Sequence, residues 1–156
     1  MREKLAQWHT RVTPLAELGF GHADLVLAVP QAWVDVSTTD DLDAVSAAFR
    51  AEHRFRLRIA TKYHRLVRDF LRERGVADYQ LVDSQGATEG TVKNETAEAI
   101  ADIASSGDTL RANHLKILED GLVLRSQATL FMARNAAVSH GDQATRDRLI
   151  DLMALS

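Results

Sequence analysis

An α/β fold is what this sequence predicts, and three observations predict it. Short apolar runs rich in valine, leucine and isoleucine recur at 23–30, 56–61, 79–84 and 97–104. The segments between them carry apolar residues at helical spacing. No internal repeat of roughly 20 to 50 residues replaces that alternation, which sets a solenoid aside. Strands alternating with helices imply parallel pairing through crossover connections, with two lobes and a cleft as the expected arrangement.

The elements follow in order. Residues 2–9 are predicted to form part of a helix, although no capping residue precedes Arg2. ADLVLAVP (23–30) is nearly continuous in apolar residues and ends at Pro30, the pattern of a buried strand. Thr38 and Asp41 match a capping box, so a helix is expected over 39–53 with Leu42, Val45 and Phe49 on one face. RLRIAT (56–61) reads as a strand, and the following segment is a helix with Tyr63, Leu66, Val67, Phe70 and Leu71 on one side and Gly75 at its C-terminal cap. YQLVDS (79–84) is another strand, QGATEG (85–90) a turn, and 91–97 a short helix. AEAIADIA (97–104) is the third strand of this region and TLRANHLK (109–116) a short helix. Two β-rich runs then meet near Gly121–Ser126, and Asp142 caps a final helix with Leu149, Ile150 and Met153 on a shared face.

Composition narrows the function classes. The chain has 156 residues, 46% of them hydrophobic, enough for one ordinary core or two small lobes. No window reaches the run of about eighteen apolar residues that a membrane-spanning helix needs, and MREKLAQWHT lacks the apolar core of a signal peptide. Cysteine is absent, which excludes disulfides, thiolate nucleophiles and cysteine-ligated zinc; a cytoplasmic location is expected. Nineteen Lys and Arg against 22 Asp and Glu argue against nucleic-acid binding but leave room for a local cationic pocket. The six histidines show neither HxH nor HExxH spacing, so no protein-ligated metal is expected. Arg65, Arg68 and Arg72 form a helical stripe interrupted by Asp69 and Glu73, which reads as a solvated face.

The segment ASSGDT (104–109) is the strongest candidate for chemistry. A strand followed by a glycine-containing turn and a helix places backbone N–H groups and the positive end of a helix dipole at the C-terminal edge of a sheet, where an anion binds. Gly107 allows close approach or positive φ, and Ser105, Ser106 and Thr109 offer hydroxyl donors. Asp102 at the strand end is placed to accept hydrogen bonds from sugar hydroxyls, with Glu98 pointing the same way. A plain turn with a Ser or Asp cap is the alternative reading of these residues. Neither GxGxxG nor the Gly-Lys-Ser/Thr of a Walker loop occurs.

GATEG, followed by TAEAIADIASSGDTLRANHLKILEDGLVLRSQATLFMAR, closely resembles the catalytic subunit of ATP phosphoribosyltransferase, and LGFGHADLVLAVP and LRIATKYHRLVRDFLRERGV resemble it in the same order. The likeness runs from about Arg2 to Arg134. It implies transfer of the phosphoribosyl group of phosphoribosyl pyrophosphate to N1 of ATP, with release of pyrophosphate accompanied by Mg2+, as the first step of histidine biosynthesis. The residues matching Asp102, Ser105, Ser106, Gly107, Asp108 and Thr109 would hold the sugar donor. Arg58 and Lys62 are candidates for neutralising pyrophosphate or triphosphate oxygens, and Thr88 and Glu89 for a phosphate or magnesium-water contact; no catalytic residue is singled out.

The implied fold is two-lobed and periplasmic-binding-protein-like (type II), with 1–31 and 119–156 in domain I and 32–118 in domain II. The chain resembles the short form, which works as a homo-oligomer with a regulatory subunit similar to histidyl-tRNA synthetase. A leading strand with a Lys-Gly-Arg segment and a glycine-rich aspartate motif are not in this sequence. Domain I is therefore expected to be incomplete, with much of the ATP site missing and strand 23–30 left with an unpaired edge that invites self-association. A noncatalytic anion-binding or assembly module derived from that subunit is the alternative function.

Overall fold

The computed structural model describes residues 12–84, 88–133 and 140–154. Its contacts divide the chain into a larger unit, Ala23–Arg125, and a smaller one built from the residues on either side. The expected helix over 2–9, Gly86 within the GATEG turn and the side chain of Met153 lie outside the described residues.

The larger unit is a five-stranded sheet in the order β4-β3-β5-β2-β6, formed by β2 (Asp24–Pro30), β3 (Leu57–Thr61), β4 (Tyr79–Asp83), β5 (Ala99–Ala104) and β6 (Leu115–Leu124). β3 pairs in parallel with both β4 and β5, as strand–helix alternation predicts. β2 departs from the prediction: it runs antiparallel to β5 on one side and to β6 on the other. It therefore has no unpaired edge. The self-association argument built on such an edge fails, because β6 supplies the neighbour that a reading by chain order could not place. The unit's boundaries also fall outside the expected 32–118, since β2 and β6 are integral to its sheet.

Apolar residues alternate across the sheet as its pleat requires. Leu25, Leu27, Val29, Leu57, Ile59, Ala99 and Ala101 pack on one side with Leu42 of α1 (Thr39–His53) and Val67, Phe70 and Leu71 of α2 (His64–Glu73). Val26, Ala28, Ala60 and Ile100 pack on the other side with Val92 of α3 (Gly90–Lys93) and Leu110 of α4 (Asp108–Ala112). Leu27, Leu42, Leu57, Ile59 and Leu71 are fully buried, each side chain contributing roughly 1.5 to 3 kcal/mol.

The termini of α1 and α2 follow from local chemistry. The Thr38 hydroxyl accepts from the Asp41 N–H while the Asp41 carboxylate accepts from the Thr38 N–H, the capping box expected from sequence. Asp120 of β6 accepts from both the N–H and the hydroxyl of buried Thr39, and from Arg74 at the end of α2, fastening both helices to one strand. Gly75, at φ 77°, turns the chain after α2 where only glycine does so without strain.

The N–H of Ser37 and the hydroxyl and N–H of Thr38 hold the Asp41 carboxyl below its ordinary value of 3.8. Its stabilising effect is therefore complete above that value and is lost as pH falls through the depressed folded value. Urea midpoints should show Asp41→Asn less stable than the parent at neutral pH, with the gap closing well below pH 3.8. A gap independent of pH would contradict the assignment of the cap.

Some boundaries differ from sequence. α4 ends at Ala112 rather than continuing to Lys116, because His114 adopts φ 57° and its carbonyl accepts from the Gln31 N–H as β6 begins. β6 runs through Gly121 with a register shift against β2 and ends at Leu124, inside the expected Gly121–Ser126 span.

In the smaller unit β1 (Val12–Glu17) pairs antiparallel with β7 (Thr129–Ala133), with a register shift between Pro14 and Ala16. Pro14 hides this strand in the sequence, and the irregularity beside it is what lets a proline sit there. Gln127 links the strand ends by accepting from the Gly19 N–H and donating to Glu17. The last helix, α5 (His140–Ala154), starts ahead of Asp142, which lies in its first turn instead of capping it. Leu149 and Leu152 of that helix are exposed. Among the described residues no helix is long and apolar enough to cross a membrane.

Candidate functional site

Parallel β3, β4 and β5 end on the same edge of the sheet, so the loops that leave them are neighbours. Lys62 follows β3, Ser84, Thr88 and Glu89 follow β4, and Ser105 to Gly107 follow β5. In an open α/β sheet this is where ligands bind.

The turn after β5 has the expected geometry. Gly107 lies at φ 75°, buried, immediately before α4. A Cβ there would stand 3.2 Å from Arg111 Nη1 and 3.6 Å from Ile117 Cδ1. Ser105, Ser106, Asp108 and Thr109 are all exposed. With five residues, α4 has little macrodipole, so the local N–H groups and hydroxyls matter more than the helix as a whole.

The turn also holds its own anion. Ser106 Oγ donates to Asp108 Oδ2 at 2.6 Å, and Arg111 pairs with the other carboxylate oxygen. The Ser106 hydroxyl and Arg111 keep the Asp108 carboxyl below its ordinary range. Arg111 Nη2 donates to the Ser106 carbonyl at 3.2 Å as well. Sequence reasoning missed Arg111. The signal was its place three residues after Asp108, which sets it on the same helical face, folded over the loop.

Asp102 lies inside β5, half-buried, and accepts from the Ile103 N–H at 2.9 Å. It shares a sheet face with Ile100 and Ala104, the face that α4 covers. Lys62 is exposed on the adjoining loop. His64 Nε2 meets Asp83 Oδ1 at 2.6 Å and ties the start of α2 to the end of β4.

Two expected contacts are placed otherwise. Arg58 is at the start of β3, the end of the sheet away from the turn, where its guanidinium donates to Glu98 and to the Glu95 carbonyl. Glu98 also accepts from the Arg58 N–H at 2.7 Å. Glu98 therefore does not point towards the turn and Arg58 does not flank Lys62: in parallel strands, residues of like position in β3 and β5 share an edge. Thr88 is fully buried, and its hydroxyl donates to Ser84 Oγ at 2.8 Å, so it fastens the loop instead of facing a ligand. Glu89 is half-buried beside it.

The Arg58–Glu98 pair makes a testable distinction. Arg58→Ala should lower unfolding stability by roughly 1.5 to 3 kcal/mol, the range for hydrogen bonds to charged groups. Calorimetry should find its affinity for phosphoribosyl pyrophosphate unchanged. A stable variant with weakened affinity would return Arg58 to the ligand site.

Comparison with known proteins bears on the identity of the chain. The family described as HisG, ATP phosphoribosyltransferase, matches residues 1–154. This chain belongs to the ATP phosphoribosyltransferase family. An ATP phosphoribosyltransferase of Cereibacter sphaeroides is 74% identical over 136 residues, 87% of this chain and 58% of the relative. That of Mesorhizobium japonicum is 51% identical over 155 residues, 99% of this chain and 66% of the relative. The chain thus spans less than two thirds of the length of either. Among solved structures, the ATP phosphoribosyl transferase (HisG:HisZ) complex from Thermotoga maritima aligns with TM-score 0.60 at 18% identity, over 97% of this chain and 63% of that one. A putative L-cystine ABC transporter from Listeria monocytogenes aligns with TM-score 0.56 at 13% identity, over 93% of this chain and 60% of that one. The ATP phosphoribosyltransferase fold of this chain is accordingly α/β and periplasmic-binding-protein-like, of type II.

Proposed function

We propose that this chain takes part in the family's reaction, transferring the phosphoribosyl group of phosphoribosyl pyrophosphate to N1 of ATP in the first step of histidine biosynthesis, and that its larger unit holds the sugar donor. One observation carries the reading: the turn at Ser105–Thr109, with Gly107 in the left-handed region, lies on the ligand-binding edge of the sheet of a chain that matches this family. The donor's 5'-phosphate is read onto the backbone N–H groups and hydroxyls of Ser105, Ser106 and Thr109. Arg111 exchanges its bond to Asp108 for the phosphate, and Asp102 accepts from the ribose hydroxyls. Asp108 contributes its N–H, since its carboxylate would repel the ligand.

In the transfer, a bond forms between the anomeric carbon and adenine N1 while the bond from that carbon to the pyrophosphate oxygen breaks. Such a displacement from an oxocarbenium-like centre needs no protein nucleophile. It needs alignment and neutralisation of the departing charge. Lys62, exposed on the loop after the neighbouring strand β3, is read as the cation for that task.

Mg2+ prefers oxygen ligands and is commonly held by substrate phosphates with one or two carboxylates. The residues fit that mode: Asp102 in β5 precedes the turn and Glu89 follows β4 at the same sheet edge, and among the described residues no three His, Cys, Asp or Glu side chains converge into a cage. When bound, the ion neutralises the pyrophosphate. A place in domain I for the residues on either side of the larger unit, cytoplasmic location, homo-oligomer formation and pairing with a synthetase-like regulatory subunit belong to the same proposal. The solved relative's designation as a HisG:HisZ complex supports the last.

Calorimetry with phosphoribosyl pyrophosphate, ATP and inorganic phosphate tests the donor site, and pyrophosphate release on mixing both substrates tests turnover. Selective binding of the sugar pyrophosphate is expected. Equal weak binding of all three would instead favour a generic anion module.

A further inference from the structure

A cavity of about 590 Å3 lies between α2 and β4, lined by Arg56, Arg68, Arg72, Val76, Tyr79 and Leu81 among others. It adjoins the first half of β4, away from the edge where the phosphate turn sits. Arg68 and Arg72, two members of the arginine stripe expected to be a solvated face, thus form one wall of a hollow.

β4 is an edge strand of its sheet: among the described residues it pairs with β3 alone. Its outer side accordingly presents backbone N–H and C=O groups that no strand takes up. Arg68 and Arg72 are one helical turn apart and share a face of α2. Arg72 meets Asp69 at 3.1 Å, whereas no described carboxylate forms an ion pair with Arg56 or Arg68. On a chain of net charge -3 this is a local excess of positive charge. Val76, Leu81 and the half-buried Tyr79 give the hollow an apolar floor. Burial pushes the Tyr79 phenol up, against the pull of Arg68 and Arg72, so those guanidinium charges reach its ring.

We infer that this groove is an interaction surface for an extended acidic peptide segment of a partner protein, which adds to β4 as a further strand and sets its carboxylates against Arg56, Arg68 and Arg72. Strand addition uses all three features at once: main-chain bonds along the open edge, alternate side chains on the apolar floor, and carboxylates in the guanidinium forks. A small anion would use only the arginines. Twofold pairing of β4 with a second copy would bring the same arginines together, and that repulsion disfavours it. Charged edge residues also discourage random strand pairing, but cations do so selectively, leaving an acidic strand as the one admitted.

The test follows fluorescence anisotropy of a labelled short peptide alternating Glu and Val, titrated with the full chain. A peptide alternating Lys and Val, an N-methylated Glu–Val peptide and sodium triphosphate as competitor serve as comparisons. Saturable binding of the Glu–Val peptide alone is expected, weakened about tenfold or more in Arg68→Glu/Arg72→Glu, in keeping with loss of charge-assisted bonds. Both side chains are exposed, and an unchanged melting curve would show the fold retained; Arg56→Gln, outside α2, is the second variant and should weaken binding without altering the melt. No binding, or unaltered affinity in these folded variants, would overturn the inference. So would equal binding of the N-methylated peptide together with full displacement by triphosphate, which would mark a small-anion site.

Discussion

Replacing Gly107 by valine should lower affinity for phosphoribosyl pyrophosphate by about one to two orders of magnitude, since forcing a β-branched residue into the left-handed region costs roughly 1 to 3 kcal/mol. At φ 75° the glycine turns the chain from the exposed Ser105 and Ser106 into α4, whose first turn carries the exposed Thr109. A side chain there either drives the backbone out of this conformation or stands between phosphate and backbone. Its nearest neighbour, Arg111 Nη1 at 3.2 Å, is the far end of a flexible side chain, so sterics within the fold are mild. The strain should therefore lower stability by a similar amount as well as weakening binding. Isothermal titration with the donor, paired with a melting curve, separates the two. Undiminished affinity in a folded variant would refute the assignment of the turn.

Gly121→Ala should have the largest effect on stability of any single methyl added to the larger unit, about 2 to 3 kcal/mol or more by the usual cost of overpacking. A Cβ at this position would lie 2.8 Å from the Leu27 carbonyl oxygen, 2.9 Å from Leu118 Cβ and 3.0 Å from the Leu118 carbonyl oxygen. Two of those atoms are backbone, and Leu27 is a fully buried residue of the strand between β5 and β6. The sheet must open or β6 must slide. Guanidinium unfolding should show a reduced midpoint with little change in slope; a midpoint equal to the parent's would mean that the strand relaxes freely at its irregularity.

Much of the larger unit was legible because its signals are local. The capping box of Thr38 and Asp41 places the start of α1, and Gly75 places the end of α2. The Val-, Leu- and Ile-rich runs place β2 to β5, and the glycine turn between β5 and α4 is where the sequence suggested. Less legible were features set by partners distant in the chain. Nothing near Asp120 announces that it caps a helix begun 81 residues earlier, and nothing near Arg58 announces Glu98, 40 residues on. Thr88 reads as a polar turn residue, yet its position beneath the loop decides that its hydroxyl serves Ser84.

The sequence by itself determined the class of fold, the start of α1 and the end of α2, the glycine turn after β5 and a family likeness that the wider comparison upheld over residues 1–154. These rest on short-range chemistry: side-chain spacing, backbone freedom at glycine, and hydroxyls beside N–H groups. Only the tertiary structure decided that β2 lies between two antiparallel partners, that Arg58 belongs to the opposite end of the sheet, and that Arg56, Arg68 and Arg72 gather around one hollow. Strand pairing is chosen by the burial of whole faces against one another, and that choice depends on segments far apart in the chain, which no local pattern records.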